Sequence, residues 1–295
     1  APVPILRVKE EEKKAGGAGN VMLNLKALEA DVIAVGRVGD DASGEFLVKE
    51  LGKQGINTSF IIREKTFQTP LKNRIIASNQ QLMRVDFEEV KEMSSESRDR
   101  LLSMVEEQID HVDLIAISDY GKGLLTESFL QGVIALANKK EKMVVVDPKG
   151  RDFSKYRGAD IIKPNTKEAL LASGLESTSS LESIAKELLE KVQCKYLLVT
   201  RSQDGMTYFN QKLEREDIPV TAKEVNDVTG AGDTVLAMLS YTLANQFPID
   251  KAVSLANVAA GIAIEHFGCV SIRIPELAQR MLDFDYLCKR ETTDF

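Results

Sequence analysis

Residues 225–234 read Val-Asn-Asp-Val-Thr-Gly-Ala-Gly-Asp-Thr, and the chain continues into the apolar run Val235-Leu236-Ala237-Met238-Leu239. Gly230 and Gly232 allow positive φ angles and close approach by a ligand, so the segment reads as a glycine-hinged turn that opens a helix from about Asp233. The first N–H groups of such a helix have no intrahelical acceptors and form an anion site. Asp233 is delivered to the same spot. An anion site with a carboxylate base beside it points to phosphoryl transfer to a hydroxyl, whereas Asp233 on its own reads equally as an ordinary N-cap.

Upstream, from about residue 95, short β-branched runs alternate with longer amphipathic ones, the pattern of a parallel sheet wrapped by helices. The strands fall at residues 114–118, 143–147, 160–163 and 196–200, and the helices near 97–109, 127–139, 167–173 and 181–191. Leu101, Val105 and Ile109 recur at helical spacing. Each strand runs into polar or glycine-rich sequence: Ser118-Asp119-Tyr120-Gly121-Lys122-Gly123, Asp147-Pro148-Lys149-Gly150, Pro164-Asn165-Thr166-Lys167-Glu168 and Thr200-Arg201-Ser202-Gln203-Asp204-Gly205. Ligands of open α/β sheets bind outside the carboxyl ends of strands, so these loops are expected to share one site with the turn at 230–233.

Before residue 95 the pattern changes. Gly16-Gly17-Ala18-Gly19-Asn20 opens a helical run through Leu28, residues 32–38 read as a strand, and Gly39-Asp40-Asp41-Ala42-Ser43-Gly44 leads into a helix carrying Phe46, Leu47 and Leu51. Residues 59–63, 71–77 and 81–87 read as strands of one small sheet whose apolar residues Ile61, Leu71, Ile75, Leu82 and Val85 need cover. There is no internal repeat and no low-complexity linker, and Lys9 to Lys14 reads as a solvated turn.

A chain of 295 residues, 43% hydrophobic, builds a substantial core, and a formal charge of −7 argues against a broad nucleic-acid footprint. Any anionic substrate must then be held by local lysines, arginines or backbone N–H groups. Cys194, Cys269 and Cys288 are widely spaced and lack paired metal-ligand spacing, which suits reduced thiols in a cytoplasmic protein. No apolar run approaches a membrane span and no signal-peptide pattern is present. His111 and His266 have no partner at metal or triad spacing. A Walker motif is also absent, since Gly121-Lys122-Gly123 has no Ser or Thr after its lysine.

The string at 225–234, taken with Gly16-Gly17-Ala18-Gly19-Asn20, resembles the two signatures of the ribokinase-like (PfkB) carbohydrate kinases, and the resemblance covers nearly the whole chain. Within that family the chain looks most similar to the heptose-7-phosphate kinases, through Ala1-Pro2-Val3-Pro4, the run from Ser78 to Glu89 (Ser-Asn-Gln-Gln-Leu-Met-Arg-Val-Asp-Phe-Glu-Glu), residues 118–123 and residues 147–150. The resemblance implies a single α/β domain over residues 1–295. Its fold would be a ribokinase-like three-layer sandwich with a mostly parallel central sheet and a small β-sheet lid formed by segments within about 1–15 and 59–90. It implies ATP and Mg²⁺, a sugar-phosphate substrate, no nucleic-acid or membrane partner, and a homodimer joined lid to lid. Some relatives carry a nucleotidyltransferase domain after the kinase. Family members begin upstream with a central strand ending in Gly-Asp, so a strand and a sugar-binding aspartate are expected before Ala1.

Carried onto this sequence, the resemblance makes Asp233 the base, with Gly230, Ala231 and Gly232 binding the transferred phosphate. Gly16, Gly17 and Asn20 would contact sugar hydroxyls, and Asn79, Gln80, Arg84 and Asp86 would reach the sugar from the lid, unless these last form a solvated edge strand. Asp119, Lys122 and Lys149 are further substrate candidates, the two lysines as point charges for phosphate or merely as exposed groups. Asn165 and Glu168 would organise Mg²⁺ through water, with Thr166 and Lys167 beside them at the nucleotide phosphates. A helix cap is the other reading of that pair. Thr200 and Gly205 match the family's nucleotide loop, and Asn257, an amide in an apolar helix, either contacts the nucleotide or makes a buried structural hydrogen bond. The alternatives to a heptose phosphate kinase are a kinase of another sugar or nucleoside and a non-catalytic binding or regulatory protein on the same fold.

Overall fold

Neighbouring strand residues point to opposite faces of a sheet. Strands such as Met143-Val144-Val145-Val146 are apolar at every position, so both faces need covering. The computed structural model describes residues 6–77, 80–222 and 224–291. In chain order its elements are α1 (Ala18–Ala27), β1 (Ile33–Gly39), α2 (Ala42–Lys53), β2 (Asn57–Glu64), β3 (Leu71–Ala77), β4 (Gln80–Phe87), α3 (Ser95–Gln108), β5 (Leu114–Ser118), α4 (Glu127–Lys139), β6 (Met143–Asp147), β7 (Ile161–Ile162), α5 (Thr166–Ser173), α6 (Leu181–Val192), β8 (Tyr196–Thr200), β9 (Met206–Asn210), β10 (Arg215–Ile218), α7 (Ala231–Ala244), α8 (Ile249–Ala263) and α9 (Ile274–Glu291).

The main sheet has the order β10-β9-β8-β7-β6-β5. Strands β5 to β8 run parallel, and β9 and β10 return antiparallel at one edge. Val144, Val146, Ile162, Leu197 and Val199 face one buried cluster, which α3, α4 and α6 complete with Leu101, Leu130, Ile134 and Leu188. Val145, Ile161 and Leu198 face the other, filled from α7 and α8 by Val235, Leu236, Leu239, Val253 and Ala256. The alternation within each strand thus builds the three layers, and the expected α/β sandwich is the observed one. No helix among the described residues is long and apolar enough to cross a membrane.

Helices begin where the sequence supplies a cap. Asp41 accepts from the Gly44 amide, Ser94 from that of Ser97, Thr126 from that of Phe129 and Ser180 from that of Ser183. The third core strand is shorter than the expected 160–163, but its ladder continues on either side. Lys163 N donates to Val146 O at 2.8 Å and Lys195 N to Asp160 O at 2.8 Å.

The region before residue 95 differs from expectation in one respect. The strand anticipated at 59–63 is β2, and it pairs in parallel with β1 rather than joining the small sheet. Ile61 packs accordingly with Leu51 and Ile56 under α2. The lid is therefore the hairpin of β3 and β4, and residues 6–15 add no strand to it. Its register puts Leu71 opposite Phe87, Asn73 opposite Val85 and Ile75 opposite Met83, while Lys72 faces Asp86 and Arg74 faces Arg84. One face is apolar and the other charged. Leu82 has no residue opposite it, because the register shifts between Ile75 and Ile76.

Candidate active site

Parallel strands end on the same side, so the polar loops after β5 to β8 are gathered at one edge of the sheet. Asp119 N donates to Asp147 O at 3.0 Å and Thr200 N to Pro164 O at 3.0 Å, tying neighbouring loops together. The start of α7 closes the other wall. Between them lies a cleft of about 300 Å³ lined by Asp119, Tyr120, Asp147, Pro148, Lys149, Lys163, Asn165, Glu168, Thr200, Gly230, Gly232 and Asp233. The expectation of one shared site holds for all four loops and the turn.

The turn is built around Gly230, whose φ of 81° lies in the left-handed region. A Cβ there would lie 2.8 Å from Asn20 Nδ2 and 3.1 Å from Cys269 Sγ. The helix starts at Ala231, two residues earlier than expected, because Thr234 N already donates to Gly230 O at 2.9 Å. The Ala231 amide is turned back to Val228 O at 3.3 Å. The amides of Gly232 and Asp233, which precede the first helical acceptor, are thus the helix-end donors left for an anion.

Asp233 is only 6% exposed. Asn20 Nδ2 donates to its Oδ2 at 2.9 Å and the Tyr120 hydroxyl to its Oδ1 at 2.6 Å. Asn20 is itself fixed by Asn24, whose amide donates to the Asn20 carbonyl at 3.0 Å. Burial raises the Asp233 pKa, and the hydrogen bonds from Tyr120 and Asn20 and the charge of Lys163 pull against it. The Tyr120 hydroxyl is pushed up by burial and by the Asp233 charge, so it remains a donor. Each carboxylate oxygen accepts one hydrogen bond from these side chains and keeps a lone pair for a further proton donor.

Around this centre the charges are paired. Asp119 accepts from Gly121 N at 2.7 Å, Tyr156 OH at 2.6 Å and Lys155 Nζ at 2.7 Å, so its carboxylate shapes the loop that carries Tyr120. Lys163 Nζ lies 3.0 Å from Asp147 Oδ1. Asn165 caps α5, its Oδ1 accepting from Glu168 N at 2.9 Å while Glu168 Oε2 accepts from Asn165 N at 3.1 Å, a complete capping box. Glu168 Oε1 also meets Lys149 Nζ at 2.7 Å. The helix-cap reading of the pair is thus realised, with Glu168 still lining the cleft.

Other expected residues lie elsewhere. Asn257 donates to Pro219 O at 2.7 Å and is buried, which makes it a structural hydrogen bond under the β10 end. Lys122 pairs with Glu88 at 2.6 Å and does not line the cleft. Gly205 sits in the turn between β8 and β9, Lys167 is exposed on α5, and Thr166 Oγ1 donates to Thr200 O at 3.4 Å. Gly16 is exposed, and Gly17 caps α1 with the Tyr120 ring lying against it. On the lid, Arg84 Nε donates to Asp86 Oδ1 at 2.9 Å and Lys72 Nζ to Asp86 Oδ2 at 3.1 Å. Asn79 falls outside the described residues, and of Gln80 only the backbone pairing with Ala77 is described. Tyr120, Asp147 and Lys163 line the cleft but were not singled out from the sequence. The first two stood inside strand-end strings, and Lys163 was absorbed into a strand.

No three His, Cys, Asp or Glu side chains form a metal cage among the described residues. The carboxylates of Asp147, Glu168 and Asp233 do line one cleft, hard oxygen donors that fit a Mg²⁺ ion keeping most of its own water.

Residues 1–277 match the model of a family described as pfkB family carbohydrate kinase. The bifunctional protein HldE of Wolinella succinogenes is 43% identical over 281 residues, which are 95% of this chain and 59% of that protein. HldE of Campylobacter jejuni is 42% identical over 288 residues, 97% of this chain and 60% of the relative. The chain therefore spans about three fifths of the length of these curated relatives. Among solved structures, an Arabidopsis thaliana ribokinase complexed with ribose and ATP superposes with a TM-score of 0.74 at 19% identity, covering 94% of this chain and 90% of that one. Phosphofructokinase-2 from Escherichia coli in complex with potassium gives 0.76 at 20% identity, covering 95% and 91%. At such identities the likeness speaks for the fold.

Gly230→Ala should disturb the site and the fold together, since the new methyl group meets the Asn20 amide and the backbone stays left-handed. The expected loss of stability is about 1–3 kcal/mol, read as a lower denaturation midpoint in urea. An unchanged midpoint would remove the steric argument for glycine at this position.

Proposed function

Since the chain belongs to the pfkB family of carbohydrate kinases, we propose that it transfers the γ-phosphoryl group of ATP to the anomeric C1 hydroxyl of D-glycero-β-D-manno-heptose 7-phosphate, giving the 1,7-bisphosphate. This is the kinase step of ADP-heptose formation for lipopolysaccharide. The observation that carries the reading is Asp233, a buried carboxylate at the start of α7 gripped by Asn20 and Tyr120. The choice of sugar is supported by the identity to HldE proteins over this stretch.

In this reading Asp233 takes the proton of the C1 hydroxyl on a lone pair that Asn20 and Tyr120 leave free, and the sugar oxygen attacks the γ-phosphorus in line with the departing ADP oxygen. The Gly232 and Asp233 amides receive the charge that develops on the transferring group. Water is excluded when the lid lies over the cleft, which denies the phosphoryl group a competing acceptor. The charged lid face, with Lys72, Arg74, Arg84 and Asp86, is the one suited to a phosphorylated sugar. Glu168, held by Asn165 and relieved of Lys149, would hold the water shell of Mg²⁺, which supplies neutralising charge to the nucleotide phosphates.

The opposite lid face needs a partner. Leu71, Met83, Val85 and Phe87 are exposed there, and a two-stranded hairpin with a bare apolar face is marginal in water. A two-fold dimer that stacks this face on its copy covers it.

A coupled ADP-release assay with the heptose phosphate beside ribose, fructose 6-phosphate and adenosine tests the reading. The heptose phosphate should lead in kcat/KM by about a hundredfold or more. Preference for another acceptor would make the chain a kinase of that compound, and no ADP release from any sugar would make it a binding protein. Asp233→Asn should lower kcat by about a hundredfold to ten-thousandfold while ATP affinity stays within a few fold; retention of half the wild-type kcat would take Asp233 out of the mechanism. Light scattering at micromolar concentration should return the mass of a dimer, and Val85→Glu should return that of a monomer. A monomeric wild-type protein would contradict the lid pairing.

A further inference from the structure

Beneath the glycine turn lies a charged pair whose lysine has no task in the scheme above. The Lys163 side chain, just after β7, is 3% exposed, and its Nζ lies 3.0 Å from Asp147 Oδ1 at the end of β6. Taking two charges out of water often costs more than their attraction returns, and apolar residues of similar volume would pack as well. Packing alone is therefore a weak reason for the pair. Both residues line the cleft. A side chain at position 232 would begin 3.6 Å from Lys163 Nζ and 3.9 Å from Asp147 Oδ2, so the ammonium sits against the turn that presents the Gly232 and Asp233 amides. The charge of Lys163 is also felt at Asp233. The other lysines nearby have partners further out, Lys149 on Glu168 and Lys155 on Asp119. Asp147 is crowded by burial and by the negative charges of Glu168 and Asp233, with Lys163 opposing them.

We propose that Lys163 is a catalytic residue, its ammonium joining the Gly232 and Asp233 amides in contact with the transferring phosphoryl group, and that Asp147 is the positioning residue that keeps it there. The proposal rests on the kinase reading of the cleft. As the γ-phosphorus separates from the bridging oxygen of ADP, its bond to the sugar oxygen forms and the hydroxyl proton passes to Asp233. Lys163 exchanges no proton in this step and contributes charge alone. The phosphoryl group spreads its charge over three equatorial oxygens. An ammonium already fixed in a water-poor site meets that charge without reorganising.

Lys163→Met by itself would leave Asp147, whose side chain is only partly exposed, without a partner and could fail through misfolding. The test is the double variant Lys163→Met with Asp147→Asn, which removes both charges in similar volume. It should melt within a few degrees of the wild type and keep the KM for sugar, while kcat falls by about a hundredfold to a thousandfold. ATP affinity measured by calorimetry in Mg²⁺ should fall about tenfold, with AMP affinity unchanged. A kcat close to wild type, or ATP and AMP affinities that fall together, would overturn the proposal. Asp147→Asn alone, which leaves the ammonium without its holder, should lower kcat with little change in sugar KM; wild-type kcat in that variant would remove the positioning role. If the wild-type protein turns over no sugar, the kinase reading fails separately, and the difference between ATP and AMP affinity still decides whether Lys163 meets the terminal phosphate.

Discussion

A carboxylate buried in a protein interior tends to neutralise itself unless something pays for its charge, and Asp233 is buried. Its two hydrogen bonds come from Asn20, 213 residues away in sequence, and Tyr120, 113 residues away. Neither partner can be in place unless α1, the loop after β5 and the start of α7 are all docked. The setting of this carboxylate is therefore a product of the whole fold rather than of the glycine turn alone. Its raised pKa follows from burial, and the hydrogen bonds from Tyr120 and Asn20 and the charge of Lys163 pull it back toward the ionised form that a base requires.

The second layer of interactions serves those donors. Asp119 spends its carboxylate on Gly121, Tyr156 and Lys155, which fixes the loop from which Tyr120 reaches inward. Arg37 on β1 donates to the Lys122 carbonyl at 2.8 Å and to Glu64 at 2.8 Å, and its guanidinium lies 4.0 Å from the Phe67 ring centre. The Lys91 carbonyl accepts from the same group. Lys122 reaches Glu88 just beyond β4. One chain of contacts thus runs from the first strand through the loop that carries Tyr120 to the base of the lid.

Much of this was legible in the sequence because the signals are local. The alternation of β-branched and amphipathic runs reports a period, and four strand ends rich in Gly, Asp and Lys report loops at one edge of a parallel sheet. The turn at Gly230 is a local signal too. What escaped was long-range. Asn20 stood out as a candidate for sugar hydroxyls, but its hydrogen bond to Asp233 joins segments that no pattern connects. Tyr120 is hidden among more conspicuous charged neighbours, and Lys163 follows an apolar strand so closely that nothing local separates it from that strand. Asn257 shows the converse: an amide in an apolar helix signals a buried hydrogen bond, yet only the position of Pro219 says with what. Residues 59–63 alternate as a lid strand would, but the backbone pairing with β1 is set by α2 packing above both.

The central claim is that Asp233 acts as a base whose proton affinity is set by burial against two donated hydrogen bonds. The acid limb of the kcat/KM profile reports the base of the free enzyme. Burial places that limb above the ordinary aspartate range, because activity needs the ionised carboxylate and burial disfavours it. Tyr120→Phe removes a donor that favours the ionised form, so the account predicts that the limb moves to higher pH in this variant. A limb that stays where it was, or moves to lower pH, would contradict the account.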